Sequence, residues 1–283
     1  LIQNNVQMPP GTFIFEDPPQ HTAHRTIVQR IFAPKRLLGL EDKVRAITVK
    51  CLDKIAGREA FDFITDIGAQ IPMIVIGTLL GIPEEEFEAV RESVDERMLT
   101  EEGEPMDHGG ELTMDDTFAA FIDARVKNPS DDVISELLDV EFTDETGVYR
   151  KLTRDELLTF VNVLAGAGNE TTNKLIGWTG KLLAEYPEQR KKLREDPSLI
   201  PAAIEEILRY EPVGPHIARY VTKDAEFAGQ TVPAGSAILF IVASANRDHQ
   251  TFQNPDVFNI ERDRAPHCTF GYGIHNCIGQ ILA

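Results

Sequence analysis

Residues 153–186 constrain this chain more than any other stretch. They open on "TRDE", where Thr153 and Glu156 have the spacing of a capping box, the hydroxyl and carboxylate each satisfying a backbone N–H of the first turn. A periodic apolar run follows and meets no proline until Pro187. At ~1.5 Å per residue such a helix is a rod of roughly 50 Å, long enough to cross a whole domain.

The other segments read mostly as helix. Pro18-Pro19 opens one to about Ala33, and Pro34 starts the next, to about Ala56. A helix over 62–80 is closed by Gly81, and Pro83 begins another to about Leu99. Residues 100–110 have loop composition, helical patterns resume at 111–127 and 131–139, and "FTDETGVYRK" reads as a turn or short hairpin. Helices over 187–195 and 198–210 follow the rod. "RYVTKDAEFAGQTVPAGSAILFIV" then carries β-branched runs broken by Gly229 and "PAG", the mark of short antiparallel pairs. The class is mainly α with a small β region.

With 283 residues, 42% of them hydrophobic and 26% charged, the chain has material for an ordinary globular core. Its longest uncharged run, 67–83, is interrupted by Gln70 and Pro72 and falls short of the ~20 apolar residues of a membrane span. Cys51, Cys268 and Cys277 are too few for a disulfide framework and suit a reducing, cytoplasmic setting. No secretory signal is visible, although the chain opens on Leu1. A net charge of −18 argues against nucleic-acid binding, which needs a basic face. Residues 18–36 are the exception: Arg25, Arg30, Lys35 and Arg36 stand there with no carboxylate, either a docking surface for an anionic partner or plain helix solvation.

Three motifs sit oddly in a purely structural reading. "LAGAGNETT" (164–172) puts Gly166 and Gly168 mid-helix, each costing about 1 kcal/mol relative to Ala. Glu170, Thr171 and Thr172 stand beside them. Close helix packing and close approach of a ligand both explain this. Glu206 and Arg209, at i, i+3 among apolar neighbours, form a charged pair that needs a further partner if buried. "HCTFGYGIHNCIG" (267–279) sets Cys277 among glycines in a loop shaped around an object. Zinc, held by Cys268, His275 and Cys277 with His267, is one reading of it, but Cys-x6-His-x-Cys is not a usual zinc spacing, and Cys51 and Cys268 read as small buried residues rather than ligands.

Taken in order, "AGNETT", Glu206-x-x-Arg209 and "FGYGIHNCIGQILA" resemble the cytochrome P-450 family of haem-thiolate monooxygenases in its soluble bacterial form. The last motif matches F-G-x-G-x-H-x-C-x-G-x-x-L-A from Phe270 to Ala283, and "DPPQHTAHR", "ANRD" and "VFNIER" add to it. The resemblance implies a P-450 fold, incomplete here, with the long central helix over a haem b (iron protoporphyrin IX). It implies Cys277 as the thiolate ligand of the haem iron, which favours O–O cleavage. Phe270, Gly271 and Gly279 would shape the ligand loop. Ala167 and Gly168 would leave room for O2, Thr171 would hydrogen-bond it, and Glu170 would help deliver protons. His21, Arg25, Arg219 and His275 would hold the two haem carboxylates. Glu206, Arg209 and Arg262 would form a structural charge cluster behind the loop. Val213, Gly214, Pro215, His216 and Ile217, with the loop before Pro9, would line the substrate pocket.

The implied activity inserts one oxygen atom from O2 into a hydrophobic organic substrate. The two electrons would come from NAD(P)H through a ferredoxin-type partner and its reductase, since the chain has no nicotinamide or flavin fingerprint. A peroxide-driven peroxygenase and a non-catalytic haem sensor are the alternatives. The resemblance spans nearly the whole chain, read as a single domain, 1–283, truncated at both ends.

Overall fold

The structure is a computed structural model that describes residues 8–98 and 117–283. The expected loop at 100–110, the start of the pattern at 111–127, Leu99 and most of the loop before Pro9 lie outside the described residues. The chain divides into two compact units. One comprises the described residues up to Asn173 together with Ile278–Ala283, and the other comprises Lys174–Cys277.

In the first unit, a short 3-10 turn at Phe13–Phe15 leads into α1 (Gln20–Ile31). Its apolar period buries Ile27, Val28 and Ile31, and the same stripe carries His21 and His24 inward. The expected helix from Pro34 to about Ala56 is two helices, α2 (Pro34–Leu38) and α3 (Glu41–Ile55). At the join, the Gly39 N–H bonds the Arg36 carbonyl and the Leu40 N–H bonds that of Leu37, so the ladder tightens before it restarts. The expected helix over 62–80 is likewise divided: a π-turn at Ile64–Gly68 precedes α4 (Gln70–Leu80). Pro72 has no N–H for the Gly68 carbonyl, so a regular ladder cannot run through this point. Gly81 ends α4 at φ +79°, as expected of the glycine after it.

A 3-10 turn at Glu84–Glu86 leads to α5 (Phe87–Met98), and α6 (Thr117–Lys127) and α7 (Val133–Asp139) follow. Asp132 caps α7, accepting the Ser135 N–H, and its other oxygen pairs with Arg125. The hairpin lies where the sequence places it, with β1 (Glu141–Thr143) antiparallel to β2 (Tyr149–Lys151). Then comes α8 (Arg154–Glu185), 32 residues long. Its capping box forms in both directions: the Thr153 N–H donates to Glu156 at 2.8 Å, and the Glu156 N–H donates to the Thr153 hydroxyl at 3.2 Å. Phe160 and Val161 on its buried face join Val28 and Ile134 in the core.

The second unit packs the end of α8 with α9 (Pro187–Glu195) and α10 (Ile200–Tyr210) around Leu182, Ile207, Phe258 and Ile260. The β region is as expected, two short antiparallel pairs. β3 (Ile217–Tyr220) pairs with β6 (Ala237–Phe240), and the hairpin β4 (Ala225–Phe227)–β5 (Gln230–Val232) lies between them in sequence. A last turn of helix, α11 (Val242–Ala245), precedes a long irregular segment. Residues 278–283 form turns closed on the Gly279 carbonyl rather than a regular helix.

Glu156 does more than cap α8. Arg150 grips its carboxylate with two bonds of 2.7 and 2.8 Å, tying the hairpin to the helix N-terminus. Burial pushes the Glu156 carboxyl up, but the guanidinium and the Thr153 N–H outweigh it and hold it below its ordinary 4.5. Asp132 is also held below its ordinary 3.8: burial opposes, and the Ser135 N–H and Arg125 prevail. A carboxylate with a lowered folded value binds fewer protons folded than unfolded, so its contribution is complete above the ordinary value and fades as pH falls through the folded one. Thermal midpoints followed by circular dichroism from pH 7 to pH 3 should therefore fall steeply at the acid end. Glu156→Gln should cost about 2 kcal/mol at pH 7 and flatten that acid limb; an unchanged limb would remove the pair from the account.

Candidate functional site

The cysteine loop is built by backbone before any side chain enters. The Gly271 N–H bonds the Cys268 carbonyl at 2.9 Å, and the Cys277 N–H bonds the Phe270 carbonyl at 2.7 Å. Gly271 and Gly273 both take positive φ, +73° and +75°, which a side chain would oppose. Asn276 adds bonds from its amide to the carbonyls of Phe270 and Gly271. Phe270 anchors the near end of the loop against the core of the second unit. The result presents Cys277 exposed at the end of a rigid turn, with Gly279 two residues on and His275 half-buried beside it. Cys268 is exposed, against the expectation of a buried residue, on a surface loop whose backbone it ties to the Asn246 side chain; Cys51 is buried as expected.

Behind the loop the expected charge cluster is present in full. Arg209 is 2% exposed and Glu206 4%, and they meet through two bonds of 2.7 and 2.9 Å. The further partner is Arg262, whose Nε lies 3.0 Å from the same carboxylate. Arg209 also donates to the carbonyls of Asn246 and Pro255, both at 2.9 Å. From Asn246, wholly buried, the network enters the loop: its amide accepts the Cys268 N–H at 2.8 Å and donates to the Thr269 hydroxyl at 2.9 Å. That hydroxyl in turn donates to the Leu208 carbonyl on α10. Sequence reasoning quoted "ANRD" as a family match and gave Asn246 no part in the site, because its bonds reach residues distant in sequence.

The centre of α8 divides into faces. Gly168 faces the core, where an added Cβ would meet Ile76 Cδ1 at 3.2 Å, so close packing accounts for this glycine. Ala167 and Thr171, one turn apart, are the exposed pair, and the Thr171 hydroxyl donates to the Ala167 carbonyl at 2.7 Å. Glu170 is half-buried. On α1, His21 is buried and Arg25 half-buried, one turn apart on the same helix. In the second unit, exposed Arg219 on β3 stands opposite half-buried Ile238 of β6, and exposed apolar Phe240 lies two residues along on the same face. Gly214, Pro215 and His216 are exposed, and Val213 and Ile217 half-buried. Ile217 contacts the loop: it lies 4.0 Å from where a Gly271 Cβ would stand.

Residues 84–283 match the family model of cytochrome P450. The chain belongs to the cytochrome P450 family. It is 35% identical over 276 residues to cytochrome P450 CYP107DY1 of Priestia megaterium, covering 94% of this chain and 65% of that one. To the cyclomarin C epoxidase CymV of Salinispora arenicola it is 34% identical over 280 residues, covering 96% and 70%. Among solved structures it superposes on the P450 CYP109Q5 of Chondromyces apiculatus with a TM-score of 0.86 at 35% identity, covering 98% of this chain and 70% of that one. The chain thus spans about two thirds of the length of these P450 relatives. The family implies a haem cofactor and haem-thiolate monooxygenase activity, and the fold, mainly α with a small β region, is the P450 fold.

The residues fit that group. Among the described residues no set of three or more His, Cys, Asp and Glu side chains is placed to hold a metal ion, so the zinc reading of the loop has no ligand set. One exposed thiol does suit an iron whose in-plane ligands arrive with its own ring. Exposed apolar side chains beside cations suit an apolar disc that carries carboxylates.

The charge cluster supplies a test independent of haem chemistry. Glu206→Ala would leave Arg209 buried with half its partners gone, and should destabilise the protein by about 3–5 kcal/mol in urea unfolding. A loss under 1 kcal/mol would mean that the cluster does not hold the loop.

Proposed function

We propose that the protein is a haem b monooxygenase that hydroxylates or epoxidises a hydrophobic organic molecule, acting as one haem domain with electrons from a ferredoxin-type partner. The observation that carries this reading is the exposed thiol of Cys277 on a loop rigidified by its own backbone and by Asn246. Bound haem would supply the redox chemistry that activates O2. Cys277 would bind the iron as thiolate, while Gly271, Gly273 and Gly279 keep side chains out of the ring's way. His21, Arg25, Arg219 and His275 would bind the haem carboxylates, positive groups for two negative ones.

On α8, Thr171 and Glu170 would manage protons. In the structure the Thr171 proton is engaged by the Ala167 carbonyl, which leaves the oxygen lone pairs to accept. Rotation of that hydroxyl would turn the proton outward, and Glu170 would replace it from solvent. This acid–alcohol pair favours the O2-dependent monooxygenase over the peroxygenase or the sensor. Val213 to Ile217, with exposed Phe240 paired opposite Ile217, would offer the substrate an apolar wall. The likeness to a cyclomarin C epoxidase, and at 30% identity to a solved P450-like monooxygenase described as involved in microbial secondary metabolism, supports a secondary metabolite as substrate class.

The partner reading rests on the basic island, amended in one respect. Arg36 is tied to Glu136, so the exposed cations are Arg30 and Lys35. A local positive patch on a chain of net charge −18 would steer an acidic ferredoxin. Three cysteines, too few for a disulfide framework, support a cytoplasmic location. Among those residues no helix is long and apolar enough to cross a membrane.

In the full-length protein, the reduced carbon-monoxide complex should show the absorption band diagnostic of thiolate ligation, and Cys277→Ala should abolish it; a mutant that keeps the band would end the assignment. Arg30→Glu with Lys35→Glu should slow reduction by ferredoxin at low salt. That difference should vanish as the Debye length shrinks from ~10 Å at 0.1 M to ~3 Å at 1 M. A rate insensitive to both changes would place the partner elsewhere.

A further inference from the structure

α1 carries a second histidine that the proposed chemistry does not use. His24 is 0% exposed, deeper than any other charged or titratable side chain described. Its Nδ1 lies 2.8 and 3.0 Å from the two oxygens of Glu16, in the segment before the helix. Its Nε2 faces Glu156 at 3.7 Å, at the N-terminus of α8. Two aromatic rings enclose it: Phe160 of α8, edge-on at 5.3 Å, and Phe142 of β1 at 5.7 Å. Both carboxylates are fixed in turn. Glu16 accepts the Gly11 N–H, and Glu156 is held by Arg150 and Thr153.

An imidazole hydrogen-bonded at Nδ1 and packed by two rings is strongly restricted in orientation, although Nε2, 3.7 Å from Glu156, makes no hydrogen bond. Since α1 is a rigid helix, fixing His24 fixes the rotation and height of every other side chain on it, at ~100° and ~1.5 Å per residue. His21 and Arg25 lie three residues before and one residue after. An apolar residue at 24 could fill the space, but it would bring no directional bond to hold α1 against rotation. It would also leave the Glu16 carboxylate buried without its imidazole. We propose that His24 is a positioning residue: bonded to Glu16 and packed between Phe142 and Phe160, it sets the angle at which α1 presents His21 and Arg25 to the haem carboxylates. This rests on the reading of His21 and Arg25 given above.

The experiment uses the full-length haem protein and two readouts besides activity: the rate of haem loss to apomyoglobin, and the resonance Raman bands of the haem carboxylates. His24→Leu should speed haem loss about 10- to 100-fold, the range seen when a group orienting a ligand is removed, and shift the carboxylate bands. His24→Gln, which keeps a donor toward Glu16, should recover most of the wild-type behaviour. Gly68→Ala is the control for lost stability alone: its Cβ would stand 2.6 Å from Asn173 Oδ1, away from α1, so it should lower the melting temperature without moving the bands. Should His24→Leu fail to fold, Glu16→Gln should shift the same bands in the same direction. Wild-type bands and haem loss in His24→Leu, or in Glu16→Gln where that stands in, would overturn the proposal if Arg25→Ala still loses haem quickly. If Arg25→Ala also keeps haem normally, the reading of the carboxylate partners fails and takes this inference with it.

Discussion

Burying Arg209 is the constraint on which the second unit depends. A guanidinium taken out of water loses far more than one ion pair returns, so it is tolerable only when each edge finds an acceptor. Glu206 covers one edge from the same helix, and the carbonyls of Asn246 and Pro255 cover the other. Those two carbonyls belong to irregular chain, which must therefore run where α10 can reach it. Arg262 adds bonds to the carbonyls of Gln253, Asn254 and Val257, so one carboxylate organises the whole segment after α11. The cysteine loop inherits its place from this arrangement through Asn246, and its precision is that of the buried charge behind it.

What could be read in the sequence was what local chemistry decides. The capping box at Thr153 and Glu156, the stop at Pro187, the Gly81 cap and the two β pairs all depend on residues a few positions apart, and all are found. The i, i+3 pair at Glu206 and Arg209 was legible for the same reason. The π-turn before α4 was not, although Pro72 was in view, because a missing N–H says that a ladder breaks but not how. Asn246 and His24 were invisible as supports. Their contacts lie far off in sequence, at Cys268 and Thr269 for the one and at Phe142 and Phe160 for the other, and only the folded chain brings them together. Residue type suggests burial for Cys268, but its exposure is decided by where the folded chain places its loop.

The two polar networks solve different problems with the same parts. Around Arg209 the charge is compensated inside a single unit and the beneficiary is a loop. Around Glu156 an arginine, a histidine and a helix N-terminus share one carboxylate, and the beneficiaries are a hairpin, α1 and the long helix. A carboxylate at that end of α8 is also favoured by the helix dipole, which adds a few tenths to about 1 kcal/mol. Glu156 thus serves capping, ion pairing and helix docking at once. Changes there should be less additive than changes at separated sites.

The middle of α8 completes the picture by being asymmetric. On its inner side Gly168 is pressed against Ile76 at a distance that admits no further atom, so that face is locked to the core. On its outer side Ala167 and Thr171 are exposed, and the Thr171 hydroxyl bonds the Ala167 carbonyl. That carbonyl is also the one the Thr171 N–H would use in the regular ladder, and a hydroxyl competing for it weakens the ladder locally and bends helices. The back-bond weakens the ladder on the outer face, while the inner face is packed tightly against Ile76. A glycine packed on the core and a threonine that back-bonds its own helix thus stand three residues apart, one on each side of the same turn.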